Sequence, residues 1–284
     1  MEHIITSNVM GYAARNNILY PLQHGFRDKR SCETQLLEFI AEVNNHTQHG
    51  GQTDVLIMDF SKAFDKVGHK RLALKLDHYG IRGKTNAWIS SFLNNRKQTV
   101  VLDGERSEEV DVLSGVPQGS VLGPCLFLFY INDLPLGLKS KVRLFADDTI
   151  LYLCIVDEAD SNALQQDLAK LEEWEVNWQM EFHPGKCQVL TISRRKQPLI
   201  FHCTLHGHWL ERVNAATYLG ITISGDLRWN THITNISAKA NKALVFLRRN
   251  LKINSPPLKA VAYKTLVRLL VEYVSSSMEP LHAT

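Results

Sequence analysis

Two aspartates stand side by side, Asp147 and Asp148, in the string VRLFADDTILYL between apolar runs that read as strands. A hairpin turn accounts for them with no further role, because Asp is at home in turns. Chemistry offers a second account: adjacent carboxylates repel, and a divalent cation between them removes that penalty. A third acid separates the two accounts. Asp59 ends the apolar stretch VLIM, where an ionised group is costly unless it is paired or bound to metal. Three aspartates on two adjacent strands are what two-metal phosphoryl transfer requires, with ions about 4 Å apart serving the attacking hydroxyl and the leaving oxygen. Oxygen donors with no Cys or His beside them select Mg²⁺ or Mn²⁺ over zinc.

These acids need a scaffold, and the periodicity predicts one. Residues 2–20 and 31–46 read as helices, and TDVLIMDF (53–60) as a strand buried on both faces. Helices are expected from Ser61 to Tyr79 and from Lys84 to Asn94, then a hairpin over 98–115 with Asp-Gly at its turn. An apolar helix over 120–134 leads to the Asp-Asp hairpin, and 157–180 follows as a long amphipathic helix. Strands are expected over 186–193, 199–204, 208–213 and 216–224, helices over 237–251 and 258–273, with NSPP (254–257) between the last two. Long helices interspersed with hairpin-paired strands indicate an α+β fold. The shift near 225–236 from sheet-rich to helical sequence marks a boundary, dividing 1–225 from 226–284.

With 284 residues, 44% of them hydrophobic, the chain can bury a sizeable core. A net charge of +3 is compatible with nucleic acid but does not argue for it unaided. The longest apolar run, CLFLFYI, has seven residues, against the roughly 20 of a membrane span. Five cysteines without a C-x-x-C pair read as reduced thiols of an intracellular protein, nuclear or cytoplasmic, and neither disulfides nor a zinc module is expected. His202, His206 and His208 around Cys203 lack metal-finger spacing and are rejected as a zinc site.

The strings MDFSKAFDKVGH, SGVPQGSVLGPCLFLFYINDL and FADDT resemble, in order and spacing, the palm motifs of reverse transcriptases. Their form is that of non-LTR (LINE-like, jockey/chicken-repeat-like) retrotransposons. QHGFR upstream, and NWQMEFHPGKCQVLTIS and YLGITIS downstream, extend the likeness over nearly the whole chain. The resemblance implies a right-hand polymerase, with partial fingers and palm over 1–225 and the helical start of a thumb over 226–284. It implies an RNA-directed DNA polymerase that extends a DNA primer on an RNA template with deoxynucleoside triphosphates, using Mg²⁺ or Mn²⁺ held by Asp59, Asp147 and Asp148.

Further roles follow from the same resemblance. Phe64 matches a steric gate against the ribose 2′-hydroxyl, with ordinary core as the rival reading. Gln118 matches the contact to nucleotide and template, and Pro117 and Gly119 shape the backbone there. Lys186 matches the lysine that protonates pyrophosphate, against a plain surface lysine. Arg27 either meets a nucleic-acid phosphate or pins the fingers to the palm, and Asp65 is expected to be structural. Lys239, Lys242, Arg248, Arg249 and Lys252 would grip duplex phosphates, or form only a solvated face. The resemblance would place a basic fingers hairpin and an endonuclease ahead of these motifs; neither is found in this sequence, and the expectation is a piece truncated at both ends with weakened activity. The alternative is a non-catalytic nucleic-acid-binding remnant; another two-metal enzyme, such as a nuclease, fits the strings less well.

Overall fold

The computed structural model describes residues 1–251 and 255–278. Lys252, Asn254 of the NSPP break and the tail beyond 278 lie outside the described residues. Helices α1 (Glu2–Arg15) and α2 (Cys32–Gln48) precede β1 (Gln52–Met58), and α3 (His69–His78) and α4 (Gly83–Leu93) follow it. An exposed ribbon of β2 (Lys97–Gln98), β3 (Val101–Leu102), β4 (Glu105–Arg106) and β5 (Val110–Asp111) turns at Asp103-Gly104, as the Asp-Gly signal indicates. Then come α5 (Leu122–Ile131), β6 (Lys141–Phe145), β7 (Asp148–Cys154) and α6 (Glu158–Trp178). Strands β8 (Gln188–Ser193), β9 (Thr204–Leu205), β10 (His208–Trp209), β11 (Glu211–Val213), β12 (Ala215–Tyr218) and β13 (Ile221–Ser224) complete the sheet-rich part. Helices α7 (Asn230–Asn250), α8 (Pro256–Tyr263) and α9 (Leu269–Glu272) close the chain, with a π-helical stretch at Lys264–Arg268 between the last two.

The central sheet has the order β11-β8-β1-β7-β6, antiparallel except where β11 runs parallel to β8. Strand β1 lies in the middle, and its alternation feeds two cores. Leu56 and Met58 pack with α3, α5 and α6 on one face, while Val55 packs with Leu36, Phe39 and Ile40 of α2 and with the β12–β13 hairpin on the other. A strand buried on both faces must read as a continuous apolar run, which is why VLIM identifies it. The fold is α+β. Helices α7 and α8, with the π-helical stretch, gather a separate small core around Ala240, Leu247 and Val267. No described helix is long and apolar enough to cross a membrane.

Four expectations change. The strand expected over 199–204 shrinks to Thr204–Leu205, paired with His208–Trp209. The helix expected from Ser61 begins only at His69. Lys62 takes a left-handed φ of 56°, and the carbonyls of Phe64 and Val67 accept from Val116 and Gly115 instead of from a next helical turn. Residues 216–224 form a hairpin, not one strand, because Leu219 and Gly220 (φ 46° and 81°) make a tight turn that leaves the apolar alternation unbroken. Helix α7 starts at Asn230, ahead of the expected Ser237, its first turn docking buried His232 against Thr222.

Candidate active site

Strands β6 and β7 close at the pair Phe145↔Asp148, so Ala146 and Asp147 form the turn and Asp148 opens β7. The neighbouring register, Met58↔Thr149, sets Asp59, the residue after β1, level with Asp148. Two segments, the end of β1 and the β6–β7 hairpin, therefore bring Asp59, Asp147 and Asp148 to one end of the sheet. Their charges meet: partial enclosure by protein, then Asp147 and Asp59, push the Asp148 carboxyl up to about 6. Asp147 is raised as well, by burial first and by Asp59 against a local hydrogen bond. Asp148 keeps an exposed face, so enclosure alone is a weak cause there and its carboxylate neighbours matter more.

Among the described residues no group of three or more His, Cys, Asp or Glu is already arranged as a metal site. The three aspartates are neighbours, not a preset cage; like charges turn apart unless a cation draws them in. Their donor chemistry nonetheless fits a hard divalent ion: oxygen only, mutually repelling, and open to solvent on one side.

A third segment supplies a cation of its own. Residues 181–183 run antiparallel to 59–61: His183 N–H donates to the Asp59 carbonyl (2.8 Å) and Ser61 N–H to the Glu181 carbonyl (2.7 Å). Between these bonds the rings of Phe60 and Phe182 stack at 4.0 Å. The single 3₁₀ turn Pro184–Lys186 then carries Lys186 Nζ to 3.7 Å from Asp59 Oδ1. Glu175 of α6, buried and with its carboxyl raised by that burial, accepts the Phe182 N–H and lies 2.9 Å from His206 Nε2. Sequence reading passed over Glu175, which sits in an ordinary amphipathic helix, and treated His206 only as a rejected zinc ligand.

The remaining candidates divide. Gln118 Nε2 donates to Asp65 Oδ1 (3.1 Å), so Asp65 does have a structural partner. Gly119 takes φ 82° with open space where a side chain would stand. A recess of about 760 Å³ beside them is lined by Lys62, Asp65, Arg96 and Gln118. Phe64 is half-buried, stacked on Phe127 at 4.3 Å with Phe26 edge-on at 6.4 Å. Its ring is anchored in the core and still reaches the surface. Arg27 donates to the Tyr20 carbonyl (3.1 Å), a bond within its own segment rather than one to the palm. All five cysteines are free, with Cys125, Cys187 and Cys203 buried.

A family profile described as reverse transcriptase (RNA-dependent DNA polymerase) matches residues 2–223. The RNA-directed DNA polymerase from mobile element jockey of Drosophila funebris is 30% identical over 252 residues, which cover 83% of this chain and 26% of that protein. The probable RNA-directed DNA polymerase from transposon X-element of Drosophila melanogaster is 27% identical over 252 residues, covering 84% of this chain and 27% of its own. The chain thus spans about a quarter of the length of these curated relatives. Among solved structures, telomerase from Candida Tropicalis, in complex with a fragment of telomeric RNA, superposes with a TM-score of 0.58 at 9% identity over 96% of this chain and 46% of that one. At that identity the likeness speaks for the fold alone.

Proposed function

The chain belongs to the reverse transcriptase (RNA-dependent DNA polymerase) family, and from that premise we propose that its palm extends a DNA primer on an RNA template. Its relatives are RNA-directed DNA polymerases of jockey-like non-LTR elements. The convergence of Asp59, Asp147, Asp148 and Lys186 from three segments at one end of the sheet carries the reading.

In the reaction, the oxygen of the primer 3′-hydroxyl bonds to the α-phosphorus of a deoxynucleoside triphosphate. The bond from that phosphorus to the bridging oxygen of the β-phosphate breaks, and pyrophosphate leaves. Asp59, Asp147 and Asp148 would hold Mg²⁺ or Mn²⁺, which when bound favours the deprotonated hydroxyl and offsets charge on the leaving oxygen. Lys186, 3.7 Å from Asp59, would donate a proton to the departing pyrophosphate. Gln118 and Gly119 would receive the incoming nucleotide, Gly119 by leaving space. Phe64, braced by Phe127, would stand against the sugar C2′. The exposed Lys239, Lys242, Arg248 and Arg249 of α7 would meet duplex phosphates, as a thumb does.

Primer extension with a DNA oligonucleotide on a homopolymer RNA tests the reading. Extension should require Mg²⁺ or Mn²⁺ and should vanish in Asp147→Asn. RNA binding without any extension would instead favour a non-catalytic binding remnant.

A further inference from the structure

Strand β6 is the last of the central sheet, and an edge left bare would carry unpaired backbone groups. The segment Leu22–Gly25 covers it. Gln23 bridges Leu144 in parallel, His24 N–H donates to the Leu144 carbonyl (2.8 Å), and Leu144 N–H donates to the Leu22 carbonyl (3.0 Å). The backbone pairing stops there, one residue short of the turn. The Gln23 side chain continues it. Its Oε1 accepts from Ala146 N–H (3.0 Å) and from Gly25 N–H (2.8 Å), so one oxygen ties the covering segment to the residue immediately before Asp147.

Three observations separate this from an incidental core contact. Ala146, first of the two turn residues, is held at φ 54°, which a tight hairpin turn calls for but which costs an alanine more than a glycine, so a bond to its N–H helps to keep the turn. Gly25 lies so close that a Cβ there would stand 2.3 Å from the Ala146 nitrogen and 2.9 Å from the Phe145 carbonyl carbon, so only glycine permits the approach. Gln23 is 2% exposed, and its Nε2 finds no partner among the described residues. A buried donor without a partner is a cost that a methionine of similar volume would avoid. The acceptor of this amide is doubly used while its donor is not, so the oxygen is the working half of the side chain.

We propose that Gln23, seated through Gly25, is a positioning residue that fixes the Ala146–Asp147 turn so that Asp147 and Asp148 stand ready for a divalent ion. The proposal rests on Asp147 and Asp148 being metal carboxylates. Gln23 touches neither substrate nor metal; it acts through the backbone of Ala146, as partners behind a metal's direct ligands do.

Gln23→Met in the full chain is the decisive variant, because it fills the space and removes the acceptor together with a donor that has no partner among the described residues. Mn²⁺ binding is read from the electron paramagnetic resonance signal of the free ion, exchange of the Ala146 amide by deuterium labelling, and folding by thermal melting. We expect melting at or above the wild-type temperature, faster exchange at Ala146, and Mn²⁺ bound about ten- to a hundredfold more weakly. Gln23→Glu, which keeps an acceptor, should recover the slow exchange. Ile89→Val, a core change in α4, should leave Mn²⁺ binding as in wild type. Wild-type Mn²⁺ affinity in Gln23→Met, or unchanged Ala146 exchange, overturns the proposal. If Asp147→Asn binds Mn²⁺ as well as wild type does, the metal-carboxylate reading itself falls, and the two failures are told apart.

Discussion

Asp148 shows at the residue scale what the candidate site costs the fold. Its carboxyl is raised from an ordinary 3.8 to about 6. Between those values the folded state holds a proton that the unfolded chain has released, so stability falls as pH rises through that window. Without divalent ions, Asp148→Asn should therefore melt higher than wild type at pH 7, and the gap should close near pH 4. Melting curves in chelator at the two pH values check this; an Asn variant no more stable at pH 7 would remove the charge repulsion from the account. Phe64 carries the second residue-scale prediction. Phe64→Val should raise ribonucleotide over deoxynucleotide incorporation by about tenfold to a hundredfold, the range in which a pocket discriminates a single small group. Unchanged discrimination in an active enzyme would return the ring to the core role that its stacking on Phe127 already shows. The acids and Lys186 were legible because each sits in a distinctive string. Gln23 meets a backbone group 123 residues away, at Ala146, and Glu175 meets one beyond the end of its own helix, at Phe182; neither bond leaves a periodic pattern in the sequence.

At the scale of elements, one buried arginine fastens α2 to the strands that lead into the Asp-Asp turn. Arg143, 3% exposed, donates to Glu38 (2.8 Å), Glu42 (3.2 Å) and the Tyr152 hydroxyl (2.9 Å). Partial burial opposes the ionised forms of both glutamates, yet hydrogen bonds from Arg143, Lys141 and Tyr152 prevail and hold both carboxyls below their ordinary value. Groups depressed in this way stabilise the fold above the ordinary carboxylate range and lose that effect as pH falls through their folded pKa. Arg143→Met should cost about 2 kcal/mol at pH 7, less than a fully buried pair because both glutamates stay partly exposed. Urea unfolding should show that loss shrinking at pH 3. A loss independent of pH would mean that the stem of Arg143, not its charge, does the holding. The sign is opposite to that of Asp148, so stability is expected to peak at mildly acidic pH. Element identity was readable where burial imposed a period, as in β1 and α6. It was misread over 61–67, where the left-handed Lys62 is not a glycine and gave no warning, and over 216–224, where Gly220 marked the turn but the apolar alternation around it reads as one strand.

Taken whole, the molecule sets a central sheet between two cores and adds a helical part with its own small cluster. The net charge of +3 is too small to imply nucleic-acid binding, and the sequence marked the basic run after 236 without showing whether it has work to do. Arg248 and Arg249 are exposed in the last turn of α7. If both meet phosphates, Arg248→Ala with Arg249→Ala should weaken binding to an RNA–DNA duplex with little regard to sequence. It should also reduce the slope of log affinity against log salt by about 2. A slope unchanged in fluorescence-anisotropy titrations would make this face merely solvated.

The bond from Gln23 to Ala146 spans 123 residues, and β1 pairs on both sides with strands made after it, β7 and β8. At about 5–20 residues per second of synthesis, Gln23 leaves the ribosome on the order of ten seconds before its partner exists. Through that interval the nascent chain carries β1, apolar on both faces, with neither edge paired. Such a segment is a template for aggregation, and closing long loops late makes folding slow. A newborn chain with this order of pairing is therefore expected to need a holding chaperone more than its finished surface suggests. Its yield in a cell should follow chaperone supply before it follows equilibrium stability.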